Sequence, residues 1–284
     1  MSNQPRDRWT LQAEDLGRDY EGETVLDGIS LTLAPGQPPI GVIGPSGSGK
    51  TTLVNLLMGW DRQSRGWVEF GSENPYRPRR AAKKLLKAAL RGVHEEADPT
   101  VDQRLPNRKV LVAARRLATR TGRDSGLDDA GLLGIVGLAP ETLLRIPRET
   151  SLGERQRFAI AVAIATDPDV LILDEPSTAL DPPTAAEVLG AVVAHSRTRG
   201  AAVLIVSHNL TLIDALTSDV IALYEGQQVA RGTLDRILDH PAHEYLADLA
   251  AIRAAEATTS RPGAHPQAGP PASSAFFSRR DLTG

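Results

Sequence analysis

The chain of 284 residues is long enough for one large domain or two small ones with a hydrophobic core of ordinary size. Its formal net charge is -3 and only 4% of its residues are aromatic, so we expect no nucleic-acid partner. It contains no cysteine, which excludes disulfides and cysteine-ligated zinc or iron–sulfur sites. The sequence has neither a signal-peptide pattern nor a run of about 20 apolar residues, and it predicts a soluble intracellular protein.

Two β-strands are predicted near the start of the chain, at residues 9–13 and 25–33. Tyr20 lies between them, in a polar stretch with Gly17 and Gly22 that is predicted to be a turn. From its position alone, Tyr20 is either a platform for an adenine ring or a half-buried aromatic at the end of a strand. Both interpretations remain open at the level of the sequence.

A glycine-rich segment follows a short apolar run at residues 40–43 and precedes an apolar stretch with helical spacing. It has the pattern G-x-x-x-x-G-K-[ST], which cradles phosphates when it joins a strand to a helix. Its glycines permit positive φ, its lysine is suited to the β- and γ-phosphates, and the threonine after it to Mg²⁺. We therefore predict nucleotide binding by Gly44, Pro45, Ser46, Gly47, Ser48, Gly49, Lys50, Thr51 and Thr52, with Thr51 also a metal ligand.

Residues 77–91 contain seven arginines and lysines with leucines between them, which predicts an amphipathic helix. We favour a solvated basic face over a surface for nucleic acid or membrane, because the whole chain is weakly acidic. From there to residue 149 the pattern is helical and rich in loops. We interpret residues 77–149 as an inserted helical subdomain.

Ser151 and Glu154 form a Ser-x-x-Glu pattern ahead of an apolar run, which predicts a capping box at the start of a helix over residues 155–166. A continuous apolar run, residues 170–173, then predicts a strand buried on both faces. Asp174 and Glu175 follow it, where ligands bind in open α/β sheets. Asp174 is suited to hold Mg²⁺, and Glu175 to deprotonate an attacking water.

A second buried strand is predicted at residues 201–207, and it ends at His208. Because this strand is expected beside the one that ends at Asp174, we predict that His208 contacts the γ-phosphate. A hairpin over residues 220–230 and two short helices, at 233–239 and 243–252, complete the predicted domain. Residues 253–284 are predicted to form a disordered tail, because they hold too few apolar side chains to offset the entropy lost on ordering.

Four motifs occur in order: the phosphate-binding loop, the segment from Ser151 to Arg157, the segment from Asp174 to Asp181, and His208. Together they resemble the ATP-binding subunit of an ABC transporter, over roughly residues 9–252. The resemblance implies an α/β fold: a P-loop NTPase core with a mixed sheet, an antiparallel β subdomain and the helical subdomain, all within residues 1–252. It also implies an ATPase that uses ATP and Mg²⁺ at the cytoplasmic face of a membrane, attached to it through permease subunits.

The same resemblance assigns roles to individual residues. Tyr20 falls in the adenine-stacking loop, and Asp181 in the loop that contacts a second ATPase subunit. Ser151 and Gly153 fall in the signature, which binds ATP held by the other subunit. The catalytic residues it implies are Glu175, His208 and Lys50. A narrower similarity, at residues 238–249, is to the Pro-x-His-x-Tyr ending of oligopeptide, dipeptide and nickel importers.

Two positions depart from the family pattern. His94 stands where the family has a glutamine that touches Mg²⁺ and water, and Leu152 stands where the signature has a glycine. We therefore expect a heterodimer with a second ABC ATPase whose signature is intact. The alternatives are a soluble ABC ATPase that serves cofactor assembly, and a regulatory subunit that binds ATP with little turnover.

Overall fold

The computed structural model describes residues 9–94 and 105–259. Residues 95–104, which include the two glutamates that directly follow His94 in the sequence, lie outside the described residues, as does most of the predicted tail. The chain order of the elements is β1 (Leu11–Tyr20), β2 (Glu23–Leu33), β3 (Ile40–Ile43), α1 (Lys50–Leu57), β4 (Arg65–Phe70), α2 (Lys83–Ala89), β5 (Leu90–Val93), α3 (Asn107–Arg120), α4 (Asp129–Ile135), α5 (Leu152–Ile164), β6 (Val170–Asp174), α6 (Pro182–Thr198), β7 (Ala202–Val206), α7 (Leu210–Leu216), β8 (Asp219–Tyr224), β9 (Gln227–Gly232), α8 (Leu234–Asp239) and α9 (Glu244–Thr259).

Six strands form the central sheet, in the order β5-β6-β7-β3-β8-β9. The first five are parallel, and β9 pairs antiparallel with β8. Every residue of β3, β6 and β7 is buried, as the continuous apolar runs predicted. Because parallel strands end at the same edge, the phosphate-binding loop after β3, Asp174 on β6 and His208 after β7 emerge side by side.

Each face of this sheet packs in its own apolar cluster. On β6, Val170 and Ile172 join a cluster with β1, β2, β4 and α1. The alternate residues, Leu171 and Leu173, join a second cluster with helices α3 to α6. The strand therefore carries side chains to both layers, and its end is held between them.

A buried ion pair fixes the start of β6. Arg123, in the segment after α3, donates from Nη2 to Asp169 Oδ2 at 2.6 Å and from Nη1 to the Asp167 carbonyl at 2.7 Å. The side chains of Arg123 and Asp169 are 1% and 0% exposed. Removing one partner of such a pair typically costs about 3–5 kcal/mol, because it leaves an uncompensated buried charge. The contact ties the helical region to the strand that carries Asp174.

The second sheet is antiparallel, in the order β2-β1-β4. Its first strand is longer than predicted, since β1 runs to Tyr20 and pairs Tyr20 with Glu23 across a two-residue turn at Glu21 and Gly22. The polar residues and Gly17 indicated a turn in the sequence. They remain in a strand because β1 pairs with β4 up to Gly17 and with β2 up to Tyr20, with register shifts that absorb the irregular stretch.

The predicted helical subdomain at residues 77–149 contains a strand. Residues Leu90–Val93 form β5 beside β6, so Arg91 lies in the central sheet and not in a basic helix. The helix before it, α2, has only seven residues, with Lys83, Lys84 and Lys87 exposed. In the sequence this short apolar strand follows a basic amphipathic run and therefore matches a helical pattern. It forms a strand because it pairs with β6, which the local sequence does not indicate.

Helix α9 continues past residue 252, the predicted end of the domain, to Thr259. Alanine, which has the best intrinsic helix propensity, is frequent in this helix and favours its continuation. Within residues 9–94 and 105–259, no helix is both long enough and apolar enough to span a bilayer.

Candidate active site

The glycine-rich loop after β3 has the conformation that its glycines permit. Gly44, Gly47 and Gly49 have φ of 159°, 80° and 95°. A Cβ on Gly44 would lie 2.4 Å from the Leu223 carbonyl oxygen, and one on Gly49 would lie 2.9 Å from the carbonyl oxygen of Val25, so neither position tolerates a side chain. Ser46 and Gly47 are exposed at the tip of the loop, while Ser48 beneath it is buried.

Helix α1 begins at Lys50, directly after this loop. Among the described residues no side chain caps α1, so its first N–H groups face the loop and are available to an anion. Lys50 Nζ donates to the carbonyl oxygens of Gly44 and Pro45, both at 2.8 Å. Burial lowers the pKa of Lys50, while the charges of Glu175 and Asp174 oppose that shift. Thr51 is exposed and Thr52 half-buried beside it.

Asp174 and Glu175 mark the end of β6. Asp174 is 2% exposed; its Oδ2 lies 3.2 Å from His94 Nδ1, and its Oδ1 is buried with no hydrogen-bond partner among the described residues. Glu175 has φ of 48°, which is unusual for a residue with a Cβ. Its N–H donates to the Val206 carbonyl at 2.9 Å, which holds this conformation. Such backbone outliers cluster at functional sites.

The Glu175 side chain is held against the residue that follows β7. Its Oε2 lies 2.9 Å from His208 Nδ1, and the carboxylate is 13% exposed while the imidazole is 71% exposed. Its carbonyl accepts hydrogen bonds from Gln156 Nε2 and Thr178 Oγ1, both at 2.9 Å. Helix α5, which carries Gln156, is therefore linked directly to the turn at Glu175.

These residues border a cleft of about 340 Å³. The phosphate-binding loop forms one wall through Gly44, Pro45, Ser46 and Lys50, and Glu175 and His208 form another. Helix α9 contributes Tyr245 and Leu249. Burial raises the pKa of Tyr245, so its hydroxyl is neutral under ordinary conditions and offers a hydrogen bond, not a charge.

Tyr20 lies at the end of β1, on the other sheet. Its hydroxyl donates to Asp61, the guanidinium of Arg18 lies 4.2 Å from the centre of its ring, and Arg18 also pairs with Asp61 at 2.9 Å. The side chain is nevertheless 39% exposed. The ring is fixed at one edge while part of its surface faces solvent, an arrangement that suits stacking.

The predicted signature forms the start of α5. Ser151 Oγ accepts from the Glu154 N–H at 3.1 Å, and Glu154 Oε2 accepts from the Ser151 N–H at 2.9 Å, so the predicted capping box is confirmed. The Ser151 N–H lowers the pKa of Glu154 and keeps this carboxylate charged. Leu152 is 49% exposed, and a Cβ on Gly153 would lie 2.7 Å from the Ala179 carbonyl oxygen.

Asp181 caps α6 by accepting from the Thr184 N–H at 3.0 Å, and this bond lowers the pKa of Asp181. The structure thus brings Lys50, Asp174, Glu175 and His208 to one edge of the central sheet. Ser151, Gly153 and Asp181 are not among the residues that line the cleft.

The divalent metal ion would have few protein ligands in this site. The described residues contain no group of three histidine, cysteine, aspartate or glutamate side chains that could hold an ion. The unpartnered Asp174 oxygen and the Thr51 hydroxyl nevertheless fit Mg²⁺, which commonly takes one or two protein ligands and completes its shell with water and substrate phosphates.

Comparison with known proteins agrees with this geometry. The family model described as "ABC transporter" matches residues 26–178, more than half of the chain. The chain belongs to the ABC transporter family. A probable D,D-dipeptide transport ATP-binding protein of Escherichia coli is 33% identical over 232 residues, which cover 81% of this chain and 70% of the relative. A dipeptide transport ATP-binding protein of the same organism is 30% identical, over 83% of this chain and 73% of the relative.

Solved structures with the same fold include an ATP-binding subunit of an ABC transporter, with a TM-score of 0.68 and 22% identity, covering 86% of this chain and 98% of the other. A dimeric ATP-binding cassette bound to ADP and Pi has a TM-score of 0.65 and 20% identity, over 78% of this chain and 98% of its own. The predicted fold class is confirmed, and family membership confirms ATPase activity with ATP and Mg²⁺ as cofactors.

Three residues in or next to the cleft were not predicted as site residues from the sequence. Gln156 lies within the signature segment, but its bond to the Glu175 carbonyl joins positions 19 apart in the chain. Tyr245 and Leu249 were noted only as part of the importer-like ending, which was the available signal for their position at the cleft. The individual roles of the predicted site residues remain predictions.

Proposed function

We propose that this chain is the ATP-hydrolysing subunit of an importer, bound at the cytoplasmic face of a membrane through separate permease subunits. The names of the relatives support a peptide-type cargo, since both Escherichia coli proteins are dipeptide transport ATP-binding proteins. The importer-like ending at residues 238–249 also supports it, and favours peptide or nickel-type import.

The convergence of Lys50, Asp174, Glu175 and His208 at one sheet edge is the observation that carries the catalytic part of this proposal. In it, Glu175 deprotonates the attacking water, a role worth roughly 10²–10⁴ in rate. His208, at 2.9 Å from Glu175 Oε2, contacts the γ-phosphate and orients the glutamate. Lys50 neutralises the β- and γ-phosphates, Asp174 and Thr51 hold Mg²⁺, and Tyr20 stacks on the adenine.

We also propose that the working ATPase is a heterodimer. In the ABC family each ATP lies between one subunit's phosphate-binding loop and the other's signature. Here the exposed Leu152 projects from the first turn of α5, beside the capped N-terminus at Ser151. A branched side chain at that point hinders close approach of a γ-phosphate. A partner with an intact signature leaves one site fully equipped, the one that holds ATP on this chain.

The test is affinity purification of the tagged full chain from detergent-solubilised membranes of its native cells. We expect permease subunits together with a second, different ABC ATPase. Reconstitution of that complex in vesicles should then couple peptide uptake to ATP hydrolysis. Co-purification with soluble proteins alone would favour the alternative role in cofactor assembly. A complex whose ATP turnover is unchanged by mutation of Glu175 would favour a regulatory role for this subunit.

A further inference from the structure

The pairing of β5 with β6 determines where His94 lies. Val93 pairs with Leu173 in this parallel register. The next residue of each strand, His94 and Asp174, therefore stand side by side at the carboxyl edge of the sheet. Their closest atoms are His94 Nδ1 and Asp174 Oδ2, 3.2 Å apart.

The imidazole of His94 is held in place by its surroundings. It packs against the indole of Trp60, with 4.3 Å between ring centres and 39° between ring planes. Space under the indole exists because residue 92 is glycine: a Cβ there would lie 2.8 Å from Trp60 and 3.0 Å from the Met58 sulfur. The His94 side chain is only 17% exposed. Its ring nitrogen is therefore presented to Asp174 in a fixed position.

The Asp174 carboxylate, which lies opposite this nitrogen, can still bind a further partner. Asp174 Oδ1 is buried and has no hydrogen-bond partner among the described residues, although the side chain is only 3% exposed. An unpaired buried carboxylate oxygen is costly and indicates a missing partner, such as an ion or a water. The 3.2 Å between Nδ1 and Oδ2 is also close to the roughly 3 Å that separates neighbouring ligands of an octahedral ion.

We propose that His94 supplies a nitrogen ligand to the divalent cation of the ATP site, next to Asp174, and so sets which cation this ATPase prefers. Mg²⁺ takes oxygen ligands, whereas the affinity of a site that contains a nitrogen ligand rises along the transition-metal series from Mn²⁺ through Co²⁺ to Ni²⁺. A site with one imidazole among its oxygen ligands therefore gains affinity for these ions relative to Mg²⁺. His94 would then be a residue that determines specificity for the reaction.

The proposal is tested on the full-length chain with Mn²⁺ and a non-hydrolysable ATP analogue. Binding is followed by the loss of the free Mn²⁺ signal in electron paramagnetic resonance, and coordination by electron spin-echo envelope modulation. Histidine labelled with ¹⁵N separates a protein nitrogen from the nitrogens of adenine. We expect a histidine-nitrogen coupling in the wild type that disappears in His94→Gln and persists in His240→Gln, an exposed histidine after α8.

The second readout is the ratio of Mn²⁺ to Mg²⁺ affinity with the same analogue. We expect His94→Gln, which offers an amide oxygen instead of a nitrogen, to lower this ratio by at least about tenfold, because replacing even a group that only supports a ligand costs a metal site about 10–100-fold in affinity. Bound Mn²⁺ without histidine-nitrogen coupling in the wild type would overturn the proposal, and so would equal losses of affinity for both ions in His94→Gln. Neither result bears on the proposed transport function, because the measurement is made without a permease.

Discussion

The edge of the central sheet and the start of α5 both carry motifs that the proposed function assigns to ATP hydrolysis, and they differ in how closely they follow the family pattern. At the sheet edge, Lys50, the adjacent pair Asp174 and Glu175, and His208 come from three segments of the chain, and Lys50, Glu175 and His208 line one cleft. At the start of α5, the backbone and the cap at Ser151 are intact, but Leu152 stands exposed where the family signature has a glycine.

The proposed function explains this difference by the site that each part serves. In that proposal the sheet-edge residues act on the ATP bound by their own chain, so all of them are needed for that ATP to be hydrolysed. The signature, in the same proposal, acts on ATP bound by the other subunit. One chain can therefore keep a full set of hydrolytic residues and an altered signature, provided that its partner supplies an unaltered one. Each half of that contrast can be tested by mutation.

The largest effect is expected at Glu175. In Glu175→Gln the amide cannot accept a proton from water, so steady-state hydrolysis should fall by roughly 10²–10⁴ while ATP still binds. The measurement is phosphate release by the complex with its partner, with ATP affinity measured in parallel. Glu187→Gln, an exposed position on α6, serves as the control and should behave as wild type. Normal hydrolysis by Glu175→Gln would place the chemistry elsewhere.

A smaller effect is expected from Lys50, through binding. Lys50→Ala removes a charged donor from the phosphates, and hydrogen bonds of that kind contribute about 1.5–3 kcal/mol. MgATP affinity measured by calorimetry should fall by about ten- to a hundredfold. Lys84→Ala, on the exposed face of α2, should leave it unchanged. If both variants bind MgATP like the wild type, the sheet edge is not the nucleotide site.

The smallest effect is expected at Tyr20. Stacking of a base on an aromatic ring contributes about 1–3 kcal/mol, and a value near 1 kcal/mol for Tyr20→Ala lowers ATP affinity about fivefold. Turnover at saturating ATP should change less. Tyr20→Phe keeps the ring and loses only the hydrogen bond to Asp61, so its ATP affinity should stay near that of the wild type. An equal loss in both variants would contradict stacking.

Sequence reasoning predicted best where the cause is local. The burial of β3, β6 and β7 follows from continuous apolar runs, and the cap of α5 from two residues three positions apart. It failed where a contact distant in the chain decides the outcome. The strand β5 exists because it pairs with β6, and β1 extends to Tyr20 because it pairs with β2 up to that residue. Likewise, only the fold brings Tyr245 to the cleft.

The most direct test of the central claim is ATP turnover by the isolated full-length chain, with and without Leu152→Gly. We predict slow turnover by the wild type. When glycine replaces Leu152, we predict that turnover rises toward the roughly 10²–10³-fold gain that an added oxyanion contact can give. Leu144→Gly, which removes another exposed leucine, should give no rise. Fast, cooperative turnover by the isolated wild type, unimproved by Leu152→Gly, would show that the altered signature is harmless and would contradict the need for a second ATPase.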